Sequence, residues 1–150
     1  MNIKDIINPS CIRVSLSSSD KTAAITELVD LLDSAGMLEN RDSVLQAVLA
    51  REKTRSTGIG LGLAVPHGKS SGCRKLVMAI GKPKEPLEFG AIDSRPCQFI
   101  VLLASPIDET GPHIQALAGV SRTWQNEIFR RAVMESTSSE QLFAAIEQHS

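Results

Sequence analysis

Cys97-Gln98-Phe99-Ile100-Val101-Leu102-Leu103-Ala104 is an almost unbroken apolar run in the second half of the chain. An apolar run of this length is typical of a β-strand in a sheet that is covered on both faces. We therefore expect a buried strand over residues 97–104, with other elements packed on either side of it.

Shorter segments before this run also have the patterns of strands. Residues 12–16 alternate apolar and polar side chains, as a half-buried strand does. Residues 75–80 form a further candidate strand. A weaker one covers residues 87–91, between the turns that Pro86 and the segment 93–96 predict.

Helical periodicity accounts for the remaining segments. Residues 17–20 offer N-caps for a helix that ends at Gly36 and has an apolar stripe of Ile25, Leu28, Val29 and Leu32. Further helices are predicted over residues 42–55, 112–124, 126–134 and 138–147. Strands flanked by helices at both ends of the chain predict an α/β layered fold. No linker or internal repeat divides the sequence, so we expect a single domain over residues 1–150.

The composition limits the classes of partner. Sixteen Lys and Arg residues against 17 Asp and Glu, with a pI near 6.3, give no field that would attract nucleic acid or an anionic membrane. No segment approaches the roughly 20 apolar residues of a bilayer span, and the N-terminus has no signal-peptide pattern. We expect a cytoplasmic protein that neither binds nucleic acid nor inserts into a membrane.

The three cysteines do not form a recognisable framework. Cys11, Cys73 and Cys97 are odd in number, lie far apart and contain no C-x-x-C pair. This spacing favours reduced, packed thiols over disulfides or a zinc site.

Two nucleotide-binding motifs fail on their spacing. Gly68-Lys69-Ser70 ends like a P-loop, but the first glycine of that motif would have to replace Leu63, and Pro66 removes a backbone N–H from the cradle. The dinucleotide fingerprint also fails, because neither position 63 nor position 65 is glycine. We therefore expect no nucleotide cofactor.

His67 is the strongest candidate for chemistry. Pro66 cannot donate to a sheet ladder, so the apolar segment 63–65 should end there and place His67 at the end of a strand. Gly68 follows, and its missing side chain should let a second molecule approach. A neutral imidazole can act as a nucleophile near neutral pH without an elaborate activating base. From local sequence alone, a structural histidine is the commoner explanation.

Two other residues are candidates to assist His67. His113 follows Gly111-Pro112, which predicts the first turn of a helix, where the dipole favours anions and a neutral imidazole. Arg51 could offer a planar fork to phosphate oxygens. The alternatives are a surface histidine near a cap and an arginine that complements its own helix C-terminus. His149, next to the last residue, is expected to have no role.

One combination of motifs is specific. It consists of Arg51-Glu52-Lys53 followed by Thr57-Gly58-Ile59-Gly60-Leu61-Gly62-Leu63-Ala64-Val65-Pro66-His67-Gly68-Lys69. This combination resembles the phosphorylation-site signature of the fructose/mannitol-type enzyme IIA domains of the bacterial phosphotransferase system, including their nitrogen-regulatory relatives. The resemblance continues through residues 87–93, the apolar strand, His113 with Leu117-Ala118, and the final helices. It departs from the commoner family pattern at Ser94-Arg95 and Gly111-Pro112.

The resemblance implies a mixed β-sheet flanked by helices on both faces, and a phosphoryl carrier that uses no cofactor or metal. His67 would be phosphorylated by the histidine phosphocarrier protein, His113 would assist, and Arg51 would bind the phosphoryl group. The phosphate would then pass to a separate IIB component in sugar transport, or phosphorylation would control binding to a regulated target protein. We favour the nitrogen-type regulatory role, since the chain contains no IIB or IIC domain.

Two further expectations concern binding. A partner that docks over His67 requires an exposed apolar rim, which we expect around Ile59, Leu61 and Gly68. A non-enzymatic module that binds a metal or a small anion through His67 and His113 is the alternative from a different functional class.

Overall fold

The computed structural model describes all 150 residues, Met1–Ser150. The strands are β1 Ile12–Leu16, β2 Gly58–Gly60, β3 Leu63–Ala64, β4 His67–Lys69, β5 Val77–Pro83 and β6 Phe99–Ser105. The helices are α1 Ile3–Ile6, α2 Lys21–Ser34, α3 Arg41–Thr54, α4 Thr110–Trp124, α5 Glu127–Glu135 and α6 Ser139–His149, with a 3-10 turn at Pro9–Cys11.

All six strands belong to one mixed sheet. Its order is β1-β5-β6-β3-β2, and β4 also pairs with β6. Strand β6 runs parallel to β3 and β4 but antiparallel to β5, while β1 is parallel to β5 and β2 antiparallel to β3. Strands β3 and β4 lie end to end along the same edge of β6, with Leu63 opposite Phe99 and His67 opposite Leu103. The prediction of a mixed sheet is confirmed.

Helices cover the sheet and exclude water from its central strand. Helices α2 and α3 pack on each other and contact β5 and β4, while α4 contacts β6 and α6 contacts β1. All seven residues of β6 are buried, as a strand covered on both faces requires. The buried apolar side chains form one cluster of 38 residues.

The helices begin where the sequence offers capping side chains. Asp20 accepts from the backbone N–H of Ala23 at the start of α2, and Asn40 accepts from Ser43 at the start of α3. All five predicted helices end within two residues of their expected bounds, and α6 extends to His149. None of the helices is both long and apolar enough to cross a membrane.

The prediction of a strand over residues 87–91 is wrong. Leu87 makes only an isolated bridge to Cys97. The carbonyl of Phe89 accepts from the Ser56 hydroxyl and the Lys21 ammonium instead of from a neighbouring strand. Helix α1 and the 3-10 turn were not predicted either, because they are too short to show a period.

The three cysteines are free and buried, as predicted. Burial raises the pKa of Cys73 to about 11 and that of Cys97 to about 12. Both thiols are therefore protonated at neutral pH.

Candidate functional site

His67 follows the end of strand β3 at Ala64 and is itself the first residue of β4. Pro66 interrupts the edge, but its carbonyl still accepts from the Leu103 N–H at 3.0 Å, so the chain resumes its pairing with β6 at His67. The expected end of a strand before His67 is present, whereas the start of β4 at His67 was not predicted. A rigid strand, rather than a free loop, holds its backbone.

A single hydrogen bond defines the protonation pattern of the half-buried His67 ring. Nδ1 lies 2.8 Å from the carbonyl oxygen of Val65. A carbonyl only accepts, so Nδ1 carries the proton and Nε2 keeps its lone pair. Burial lowers the pKa of His67, and the charge of Arg51 lowers it further, against the opposing effects of Val65 and Glu52. The ring is neutral at pH 7, with Nε2 as its basic atom.

His113 lies in the first turn of α4 and is buried against the end of β6. Its Nδ1 is 2.7 Å from the hydroxyl oxygen of Ser105. The rings of His113 and His67 have centroids 5.4 Å apart and planes inclined by 58°. Burial lowers the pKa of His113 to about 4, with smaller contributions from His67 and Lys69. The structure therefore brings the two predicted histidines together, both of them neutral at pH 7.

Arg51 lies beside the same site, near the C-terminus of α3. One guanidinium nitrogen, Nη1, donates to the carbonyl of Arg55 at 2.7 Å. Its other N–H groups have no partner within the chain, which leaves donors for an anion. Arg51 and His67 line a common cleft of about 200 Å³.

Glu52, next to Arg51, fixes the chain where it leaves α3. Its buried carboxylate accepts from the backbone N–H of Thr57 at 2.9 Å and from the Thr57 hydroxyl at 2.5 Å. The same carboxylate pairs with Lys21 at 3.3 Å. These bonds anchor the start of the glycine-rich segment that leads to His67.

The tip of that segment is held in an uncommon conformation. Leu61 has a φ of 56°, in the left-handed region. Its N–H donates to Asp93 at 3.0 Å, and its carbonyl accepts from the indole N–H of Trp124 at 3.0 Å. Leu61 and Ile59 are 42% and 39% exposed, so that part of the predicted apolar rim is confirmed.

The expectation that Gly68 opens space for a second molecule is wrong. Gly68 is buried, and a Cβ at this position would lie 3.0 Å from the backbone nitrogen of Val48 in α3. The missing side chain therefore lets α3 approach β4 closely. Ile92, which lines the cleft and is 78% exposed, supplies apolar surface that the sequence analysis did not predict.

Two polar residues near the histidines were not predicted from the sequence to belong to the site. Ser105 is the only polar residue of β6, and the predicted strand stopped one residue short of it. The signal that could have identified Ser105 is a single hydroxyl at the end of a buried apolar run. Lys69, two residues after His67, donates to the Thr110 hydroxyl at 3.0 Å. No group of three or more His, Cys, Asp or Glu side chains converges in the chain.

Comparison with known sequences identifies a family for nearly the whole chain. Residues 5–149 match the family described as "Phosphoenolpyruvate-dependent sugar phosphotransferase system, EIIA 2". The PTS system fructose-specific EIIA component of Haloferax volcanii is 32% identical over 143 residues, which are 93% of this chain and 93% of that protein. The nitrogen regulatory protein of Klebsiella oxytoca is 30% identical over 97% of this chain and 90% of that protein.

A longer relative contains the same region as one part. The PTS system fructose-specific EIIABC component of Bacillus subtilis is 30% identical over 99% of this chain. The chain spans only 24% of the length of that protein.

Solved structures share the fold. The nitrogen regulatory protein IIA-Ntr of Neisseria meningitidis has a TM-score of 0.86 at 30% identity, over 96% of this chain and 98% of that one. Enzyme IIAMTL of Escherichia coli, in complex with phosphorylated enzyme IIBMTL, has a TM-score of 0.80 at 21% identity, over 95% of this chain and 97% of that one. The predicted architecture is thus confirmed.

Proposed function

The chain belongs to the EIIA 2 family of the phosphoenolpyruvate-dependent sugar phosphotransferase system and is a phosphoryl carrier, and on that premise we propose that it accepts phosphate on Nε2 of His67. The observation that carries this proposal is the hydrogen bond from His67 Nδ1 to the Val65 carbonyl. It leaves one nucleophilic nitrogen on a ring held by a strand. The histidine phosphocarrier protein is the proposed donor.

The transfer exchanges one N–P bond for another. The lone pair of His67 Nε2 attacks phosphorus in line, the new N–P bond forms, and the N–P bond to the donor histidine breaks with its electron pair returning to that ring. The His67 ring gains positive charge, and its Nδ1–H stays hydrogen-bonded to Val65, which stabilises that charge. The step has no net oxidation and needs no metal or nucleotide.

Arg51 and His113 are proposed to stabilise the phosphoryl group. Arg51 and His67 line the same cleft, and the guanidinium has N–H groups without a partner in the chain, so it can hold two phosphoryl oxygens. His113 is neutral at pH 7, so it contributes a hydrogen bond and no charge. Such fixed donors favour the transfer when they meet the charge that develops on the phosphoryl oxygens.

The acceptor assignment is tested by incubating the purified chain with phosphoenolpyruvate, enzyme I and the phosphocarrier protein, followed by intact-mass analysis. The wild-type chain and the His149→Ala control should each gain one acid-labile phosphate, because His149 lies outside the site. His67→Ala should gain none. A His67→Ala protein that acquires phosphate at the wild-type rate rules out this acceptor.

For the destination of the phosphate we propose the nitrogen-type regulatory role in the cytoplasm, in which phosphorylation of His67 controls binding to a target protein. The match to IIA-Ntr, at 30% identity and a TM-score of 0.86, supports it. Donation to a separate IIB component in sugar transport is the second candidate, favoured by the fructose-specific EIIA relative at 32% identity. Rapid transfer of phosphate from the phosphorylated chain to a purified IIB protein of the same organism would favour the role in sugar transport over the regulatory role.

A further inference from the structure

We propose that Ser105 is a positioning residue that holds His113 in the tautomer with its proton on Nε2. The proposal concerns the hydroxyl at the end of β6 and the ring at the start of α4, which are 2.7 Å apart. Its consequence for phosphoryl transfer rests on the function proposed above, whereas the tautomer itself does not.

The hydrogen-bond inventory of Ser105 determines the direction of the bond. Ser105 is fully buried, and its hydroxyl contacts no hydrogen-bonding group of the chain except His113 Nδ1. If Nδ1 were the donor, the Ser105 O–H would be left buried without an acceptor, at a cost of about 1–3 kcal/mol. The hydroxyl therefore donates to Nδ1, which must carry a lone pair. A neutral imidazole has one N–H, so the proton resides on Nε2.

The Nε2 atom of His113 is the one that faces solvent. No buried side-chain nitrogen or oxygen in the chain lacks a hydrogen-bond partner. Nε2 makes no hydrogen bond within the chain, so it must be accessible to water. The neighbouring His67 ring, 5.4 Å away between centroids, is likewise bound through Nδ1 and free at Nε2.

The two rings consequently have opposite polarity at their free nitrogens. His67 presents a lone pair at Nε2, and His113 presents an N–H donor at Nε2. After transfer, an oxygen of the phosphoryl group on His67 can accept that N–H. The other tautomer of His113 would instead direct a lone pair at the phosphoryl oxygens and repel them.

The tautomer is measured by ¹⁵N NMR of the full chain at pH 7, before any phosphorylation. We expect His113 Nδ1 to have a pyridine-type shift and Nε2 a pyrrole-type shift. Ser105→Ala should move both shifts toward a mixture of tautomers and slow transfer by about 10-fold, a partial loss of one donor. Ser105→Thr, which keeps a hydroxyl, should retain the wild-type shifts.

Ser70→Ala is the matched control, because Ser70 is also a buried serine but its hydroxyl bonds Ser43 and Gly72 and no histidine. The backbone bond from the Ser70 N–H to the Ser105 carbonyl is kept in this variant. Ser70→Ala should leave the His113 shifts and the transfer rate unchanged. A pyrrole-type Nδ1 in the wild-type chain overturns the proposal without any variant, as do unchanged shifts in Ser105→Ala. If the wild-type chain accepts no phosphate, the proposed function fails, while the shifts still decide the tautomer.

Discussion

His67 lies on a β-strand and His113 on an α-helix, yet their rings are neighbours, with centroids 5.4 Å apart and planes inclined by 58°. Each ring is bound through Nδ1, His67 to a backbone carbonyl and His113 to a serine hydroxyl. Burial lowers the pKa of both, so the pair carries no positive charge at neutral pH. Two neutral rings can stand this close without the repulsion that two imidazolium ions would suffer.

Replacement of His113 should slow phosphorylation but leave its site intact. We expect His113→Ala to acquire one phosphate on His67 at a rate lowered by about 100-fold, since one fixed donor to the phosphoryl group is lost. Quench-flow mass analysis gives the rate and the stoichiometry together. Gln115→Ala, an exposed change on the same helix, should match the wild type. If His113→Ala is phosphorylated at the wild-type rate, His113 has only a structural role.

Removal of the Arg51 guanidinium should have two measurable effects. Arg51→Gln should lower the transfer rate by about 10- to 100-fold, because charged hydrogen bonds to the phosphoryl group are lost. It should also raise the pKa of His67, since the positive charge of Arg51 disfavours the protonated ring. Lys53→Gln removes a charge from the same helix outside the cleft and should change neither quantity. NMR titration of His67 and the mass assay check both effects. An unchanged pKa of His67 would show that the charge of Arg51 does not act on the ring.

The buried His113 should make the chain less stable in mild acid. Its pKa is about 4 in the folded chain and 6.5 as a model value, so between these values the unfolded chain binds more protons. The free energy of unfolding therefore falls as pH drops from 6.5 to 4, by about 3 kcal/mol from this group.

Urea unfolding at pH 7, 5 and 4 measures this loss. His113→Gln cannot titrate and should lose about 3 kcal/mol less than the wild type over the same range. All other titrating groups are common to the two proteins, so the difference isolates His113. Equal losses in both proteins would show that His113 titrates normally in the folded state.

A methyl group at Gly68 should disturb both stability and transfer. The Cβ of Gly68→Ala would lie 3.0 Å from backbone atoms of Ala47 and Val48, so α3 and β4 must separate. We expect the free energy of unfolding to fall by about 1–3 kcal/mol and the transfer rate to fall with it, because His67 is adjacent. Gly111→Ala adds the same methyl group where nothing lies within 4 Å and should keep wild-type stability. Wild-type stability in Gly68→Ala would contradict the close approach.

Sequence patterns predicted the longer elements of the fold. The run now seen as β6 is almost unbroken and apolar, and helices α2 and α3 begin at capping side chains; together these elements define the layers of the fold. Strands β2, β3 and β4 contain two or three residues each, so only pairing with β6 gives them their conformation. Tertiary contacts, not local preference, therefore create the edge on which His67 lies.

The sequence indicated which residues to consider for the candidate site, but not how they are arranged in space. The motif around His67 indicated phosphoryl chemistry, and the wider resemblance also included Arg51 and, farther along the chain, His113. The hydrogen bonds that leave Nε2 free on both histidines depend on the path of the backbone, which the residue pattern does not give. His67 bonds the Val65 carbonyl across Pro66, and His113 bonds Ser105 across the turn between β6 and α4. Gly68 was wrongly expected to open space for a second molecule. Its burial against α3 depends on where that helix crosses β4, which no local sequence pattern encodes.

Phosphorylation at Nε2 of His67 is tested most directly by ¹⁵N NMR of the phosphorylated chain, which identifies the nitrogen bonded to phosphorus. We predict phosphorus coupling at Nε2 of His67, with Nδ1 still protonated and hydrogen-bonded to the Val65 carbonyl. Coupling at Nδ1 of His67, or at any other residue, would rule out Nε2 of His67 as the phosphoryl acceptor.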